Sequence, residues 1–93
     1  MSPSTTLKLI AEFFGAFLLM LSILASGGNF IVIGATLGVI VFLIGGISGA
    51  SVNPAVSVGL WYNGTLSASM FALYTFVELL GGAAAAYSYK IVS

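Results

Sequence analysis

The residues with chemistry to offer are few, and they fall in one short run and at two isolated positions. Ser48-Gly49-Ala50-Ser51-Val52-Asn53-Pro54-Ala55-Val56 interrupts an otherwise apolar stretch, and the acids Glu12 and Glu78 stand inside apolar runs of their own. Asn53 carries an amide that can both donate and accept. Pro54 lacks an N–H and suits the first position of a helix, where that donor would go unpaired. An Asn just before it is a good N-cap. The run therefore predicts a helix that starts at Pro54 with Asn53 at its N-terminus. Backbone that leaves a helix at membrane depth must be buried in protein or line a watery cavity. The run is thus a packing device or a pore element, and its polar groups favour the pore.

Such residues need lipid-spanning elements to position them. Of 93 residues, 60% are hydrophobic and 4% are charged, and the mean hydropathy is +1.23. Soluble domains carry about 25% charged residues. Two basic and two acidic side chains cannot coat a water-facing surface, so lipid must be the solvent. A net charge of zero offers no basic patch for nucleic acid. Without Cys or His there is no disulfide, no zinc site and no nucleophile–imidazole pair. No cofactor, metal site or enzymatic activity is expected, and the first expected partner is the lipid membrane.

Three apolar stretches, about residues 7–26, 30–47 and 66–92, are each long enough to cross ~30 Å of hydrocarbon. Ser26-Gly27-Gly28-Asn29 breaks the first from the second. The segment at about residues 54–62 is too short to cross, and reads as a half-helix that enters the membrane and turns back. Trp61-Tyr62 then marks the interface, where amphipathic rings prefer to lie, and Asn63-Gly64 marks a turn. The expected fold is an all-α membrane protein forming a single domain over residues 1–93: three transmembrane helices plus one re-entrant half-helix. Lys8, the first apolar run and Ala25-Ser26-Gly27 also outline a signal peptide. The acid at Glu12 and the length of the run argue against cleavage. Asn63-Gly64-Thr65 matches a glycosylation acceptor, but so short a pattern beside the membrane reads better as a turn.

Glu12 lies about one turn inside the first span, and Glu78 near the middle of the third. An intramembrane acid costs about 2.5–3.5 kcal/mol on insertion scales and faces the bundle interior with a partner. No cation is at hand, since Lys8 and Lys90 belong to the span ends. The backbone amides of Ser48–Asn53 are the available donors, so both acids are expected to support that loop. The competing readings are a Lys8–Glu12 pair at i, i+4 and a protonated Glu78 bonded to a neighbouring helix. Gly34 with Gly38 and Gly45 with Gly49 form G-x-x-x-G pairs, and Gly81, Gly82 and Ala83–Ala86 give the third span a smooth face. Such residues let membrane helices approach closely. Phe13, Phe14, Phe17, Phe42, Phe71 and Phe76 read as lipid- or core-facing.

Three blocks resemble the major intrinsic protein family, the aquaporins and aquaglyceroporins. Ala11-Glu12-Phe13-Phe14-Gly15-Ala16-Phe17-Leu18-Leu19 resembles the family's first-helix signature. Gly46-Ile47-Ser48-Gly49-Ala50-Ser51-Val52-Asn53-Pro54-Ala55-Val56-Ser57 resembles its first Asn-Pro-Ala loop. Glu78-Leu79-Leu80-Gly81-Gly82-Ala83-Ala84-Ala85 resembles its third-helix signature. In the family's order and spacing these blocks cover nearly the whole chain, and they match the family's N-terminal half only. The resemblance implies a half-aquaporin. Its pore motif would be Asn53, Pro54 and Ala55, approached along the backbone carbonyls of Gly49, Ala50, Ser51 and Val52. Ile33, Leu37 and Val56 would form an apolar wall, with Ile33 at the second-helix filter position.

The resemblance further implies passage of water or a small neutral solute such as glycerol. Family pores need two inverted halves. The implied partner is therefore a second copy, as in an antiparallel dimer or other homo-oligomer, or a separate second half-channel chain. Lys8 and Lys90 stand at opposite ends of three spans, so the positive-inside rule supplies no bias and insertion in both orientations is expected. Two positions depart from the family pattern: Ser51 stands where His is usual, and Glu78 where Gln is usual. The family's selectivity-filter Arg follows its second Asn-Pro-Ala motif; this chain has no Arg, and Val56 follows the motif it carries. The alternative function is a non-conducting structural membrane component of a larger assembly, such as a membrane complex or virion.

Overall fold

A computed structural model of the protein describes residues 2–93, and the described residues form four helices and no strand. They are α1 (Thr5–Ala25), α2 (Phe30–Ser48), α3 (Pro54–Tyr62) and α4 (Ala68–Val92). The three longer helices have 21, 19 and 25 residues. At ~1.5 Å per residue these reach about 28–38 Å, enough to cross a bilayer core. The nine residues of α3 reach only about 14 Å, half of that thickness. The protein is therefore all-α, with three helices apolar and long enough to span a membrane.

Local chemistry sets the boundaries. Ser4 Oγ accepts from Leu7 N, so α1 starts half a turn before the apolar run. Gly27 and Gly28 take φ of 66° and 82°, and Gly28 N donates to Ile23 O, as at many helix C-termini. Asn29 Oδ1 then accepts from Ile31 N and Val32 N and opens α2. The third span begins at Ala68 rather than Leu66, because the amides of Thr65 and Leu66 close α3 by donating to Leu60 O. Ser67 Oγ then caps α4 by accepting from Met70 N.

Helix α1 is the central element. It packs against both α2 and α4, while α3 packs against α4 alone. The α1 and α4 backbones approach closely at Gly81, where an added Cβ would lie 2.4 Å from Phe13 O and 3.2 Å from Ala16 Cβ. The α2 glycines do no such work within the chain. An added Cβ on Gly34 or Gly38 meets nothing within 4 Å, and one on Gly45 meets only Val41 of its own helix. This corrects the expectation that the G-x-x-x-G pairs mark helix contacts within this chain. Helix α2 touches α1 through its Ile40 and Ile44 side, and its glycines lie away from that seam.

Burial follows the logic of a lipid solvent. The buried set mixes small residues such as Ala11, Ala16 and Ala85 with the polar Glu12, Ser48, Ser51, Ser57 and Glu78. Large apolar residues such as Phe30, Phe42 and Phe76 are exposed. Trp61 stacks on Phe71 with centroids 5.2 Å apart, bracing the hairpin between α3 and α4. A groove of about 490 Å³ between α1 and α2 is lined mainly by apolar residues such as Phe14, Leu18, Val39 and Leu43.

Gly81→Ala is expected to lower stability in detergent or lipid unfolding by about 1–3 kcal/mol, because its methyl group meets a backbone oxygen. Gly34→Ala is expected to change it by less than about 0.5 kcal/mol. Equal effects of the two substitutions would show that the α1–α4 crossing is not built on Gly81.

Candidate functional site

Helix α2 ends at Ser48, and the chain then takes a strained path. Gly49 has φ 88° as the C-cap, and Ala50 and Val52 have φ of 53° and 49°. Positive φ is uncommon for Ala and a true outlier for β-branched Val. Each such residue costs on the order of 1–3 kcal/mol. The carboxylate of Glu12, a fully buried residue, holds this path in place. Its Oε1 accepts from Val52 N at 2.7 Å, and its Oε2 accepts from Ser51 N at 3.1 Å and Ser48 Oγ at 2.6 Å. Hydrogen bonds to a charged group contribute about 1.5–3 kcal/mol each, so three of them outweigh the strain. Ser48 Oγ in turn accepts from Ala50 N at 3.2 Å. A notch in α1 admits the strained segment, since a Cβ on Gly15 would lie 2.4 Å from Val52 Cγ1. Tyr74 OH donates to Ser48 O at 2.7 Å, which satisfies both the phenol and a terminal carbonyl of α2. All the bonds of Glu12 go to the loop and none to Lys8.

Glu78 meets the half-helix rather than the loop amides. Both of its oxygens accept from Ser57 Oγ, at 2.9 and 2.8 Å. The amides of Ser51 and Val52 are already committed to Glu12, which corrects the expectation that they would serve both acids. Ser57 lies one turn into α3 on its buried side, and Ser51 Oγ is 2.5 Å from its hydroxyl. Because Ser57 donates to Glu78, Ser51 is the donor in that pair. The order is then Ser51 to Ser57 to Glu78.

Asn53 stands exposed at the head of α3. Its Oδ1 accepts from Ala55 N at 2.8 Å and caps the helix. That bond turns the acceptor end of the amide inward and leaves the Nδ2 donors for another molecule. Pro54 is half-buried at the first helical position, and Ala55 is exposed. Among the described residues, the carbonyls of Gly49, Ala50, Ser51 and Val52 accept no hydrogen bond. A groove of about 380 Å³ opens at Asn53 and Pro54, walled by Leu19, Met20 and Ile23 of α1 and by Leu79 and Gly82 of α4, with Glu78 at its edge. Ile33, Leu37 and Val56 do not line it. Helices α2 and α3 do not pack together, so Leu37 and Val56 remain on uncovered sides, 38% and 45% exposed.

Sequence reasoning overlooked Ser57 and Tyr74 as site residues, and treated Ser48 only as part of the breaker. A signal was present. A hydroxyl inside an apolar span needs a partner, and Tyr74 precedes Glu78 by one helical turn, which places both on one face.

Fold and site together define an integral membrane protein built around a re-entrant half-helix whose loop is pinned by a buried carboxylate. The family model of the major intrinsic proteins matches residues 28–93, and the chain belongs to that family. The chain is 40% identical to Aquaporin Z of Brucella melitensis biotype 1, over 92% of this chain and 44% of that protein. It is 43% identical to a probable aquaporin, PIP2-7, of Oryza sativa subsp. japonica, over 57% of this chain and 18% of that protein. The chain thus spans less than half the length of these curated relatives. No solved structure matches it significantly.

Glu12→Gln keeps the shape but loses the charge-assisted bonds to the loop. Hydrogen exchange at the Ser51 and Val52 amides in lipid should accelerate by at least about tenfold, the equivalent of 1.4 kcal/mol. Unchanged exchange at both amides would mean that other contacts hold the loop.

Proposed function

We propose that this chain forms one half of a membrane channel that passes water or small neutral solutes such as glycerol once a second half completes the pore. The observation that carries the proposal is Asn53, exposed at the N-terminus of a half-helix with its donors uncommitted. The unpaired N–H groups there and the helix dipole make this end electropositive. Beside it, the carbonyls of Gly49–Val52 supply acceptors along an approach. A neutral molecule that both donates and accepts can exchange water partners for these groups at little cost. A cation meets the positive end and is repelled. The aquaporin relatives support the solute class, and Ile33, Leu37 and Val56 are proposed to complete the apolar wall where a second half brings them to the path.

The second half is proposed to be an inverted copy of this chain or a separate half-channel chain. Inverted repeats with binding at the midplane are a common transport plan, and the even placement of Lys8 and Lys90 sets no orientation. Terminal reporter fusions decide between the two. The C-terminus should be found on both sides of the membrane for an inverted copy, and on one side for a separate partner.

Transport is tested by osmotic shock of liposomes that hold the assembled protein. Their shrinkage should outpace that of empty vesicles. Asn53→Leu and Asn53→Asp should each slow it by about tenfold, since one hydrogen bond is worth about 1–1.5 kcal/mol. Asp keeps the capping oxygen but not the amide donor, so loss in Leu alone would reduce Asn53 to a cap. Shrinkage equal to that of empty vesicles, with assembly verified, would favour the non-conducting structural component.

A further inference from the structure

Both ends of the break between α2 and α3 are held from one face of α4. Tyr74 and Glu78 lie one turn apart on that helix, and both are buried. Glu78 accepts from Ser57 and seats the start of α3. Tyr74 OH donates to Ser48 O at the end of α2. Helices α2 and α4 do not pack together, so the phenol reaches across to a helix its own helix does not touch. Among the described residues it makes the only hydrogen bond between the two. The other holds on α2 come from α1. They are the Ser48 hydroxyl on Glu12 and an apolar seam where Ile40 and Ile44 meet Gly15. Apolar contact is non-directional, so the seam sets a spacing and not an angle.

The phenol bonds the peptide that precedes the joint of the loop. A peptide unit is planar, so the Ser48 carbonyl and the Gly49 N–H turn together. Its N–H donates to Gly45 O at 3.0 Å, and its oxygen accepts from Tyr74 OH at 2.7 Å. The plane is therefore pinned at both ends. Gly49 follows with φ 88°, and glycine rotates where other residues are restricted. Pinning the plane before such a joint sets the direction in which the chain leaves α2. Glu12 holds the amides of Ser51 and Val52 further on. From the joint onward run the four carbonyls that accept no hydrogen bond among the described residues. We propose that Tyr74 is a positioning residue: its hydroxyl clamps the Ser48–Gly49 peptide and so aims the free carbonyls of Gly49, Ala50, Ser51 and Val52. The inference deepens the channel proposal, and its effect on transport rests on that reading.

The test is infrared spectroscopy of the full chain in lipid vesicles, with a heavy-isotope label at one carbonyl at a time. Tyr74→Phe keeps the ring and removes the hydroxyl. The Ser48 carbonyl band should rise in frequency as its bond is lost. The bands of Gly49–Val52 should move as well, although Tyr74 bonds none of those carbonyls. Hydrogen exchange at the Ala50 and Ser51 amides should accelerate by about fivefold, the scale of one neutral hydrogen bond. Tyr87→Phe, at a residue 69% exposed, should change none of these. A Ser48 band that stays in place, loop bands that stay while the Ser48 band rises, or a Phe variant that no longer folds would each overturn the proposal. Water flux is measured on the same vesicles and should fall by at least half in Tyr74→Phe. Full flux through a variant whose loop bands have moved also overturns the positioning role. A parent that passes no water overturns the channel reading alone, and the loop bands then decide the clamp.

Discussion

The bond between the Glu12 carboxylate and two loop amides is the constraint on which the rest of this structure depends. A chain that stops being helical inside a bilayer exposes backbone donors that lipid cannot satisfy, at several kcal/mol for each. Here α2 ends at Ser48 and α3 starts at Pro54, so the interval between them must find partners in the protein. One carboxylate supplies acceptors for Ser51 N and Val52 N and for the Ser48 hydroxyl. The loop makes those bonds with Ala50 and Val52 at positive φ. It also requires α1 to come close, which the missing Cβ of Gly15 permits. Once that loop is set, Asn53 has only one place to be. An acid in the first helix therefore sets the position of a motif that lies beyond the second.

Around this core the packing is inverted relative to a soluble domain. Lipid tails are as apolar as leucine, so helices gain little by hiding leucine from them. What holds α1 to α4 is close backbone approach at Gly81 and Ala16, together with Ala85, which has no exposed surface at all. What holds α3 to α4 is the hydroxyl of Ser57 on Glu78 and the stacking of Trp61 on Phe71. Helix α2 has neither device beyond its seam with α1, and it buries only Ile40 and Ser48. Its two roles are to deliver Ser48 to the loop and to present an uncovered face.

What could be read from the sequence is what depends on one segment at a time. Spans follow from hydropathy and length, and the start of α3 follows from an Asn–Pro pair whose capping chemistry is local. The role of Glu12 followed from elimination, because an intramembrane acid needs donors and the only unpaired ones nearby were loop amides. Features that depend on how a helix is turned about its axis were not legible. Gly34, Gly38 and Gly81 are equally small in sequence, yet only Gly81 faces a neighbour. The donor to Glu78 was misread for the same reason, since nothing in the sequence says that Ser57 points inward and that the loop amides are exhausted by Glu12. The wall of the path is harder still. The groove at Asn53 is bounded by α1 and α4, and Ile33 lies outside it, whereas Leu37 and Val56 stand on sides that this chain leaves open.

Those open sides bear on what a second half has to bring. A nine-residue half-helix reaches about 14 Å, and a bilayer core is about 30 Å thick. In the proposed pairing, two half-helices entering from opposite faces would meet head to head near the midplane, and one alone stops there. Head-to-head contact sets two electropositive ends against each other, which costs energy unless negative charge or a polar solute lies between or behind them. The Glu12 carboxylate under the loop lies in such a position, close enough to bond the amides that lead into α3. In the proposed pairing, the carboxylate that shapes the loop would thus also be the counter-charge behind such a meeting.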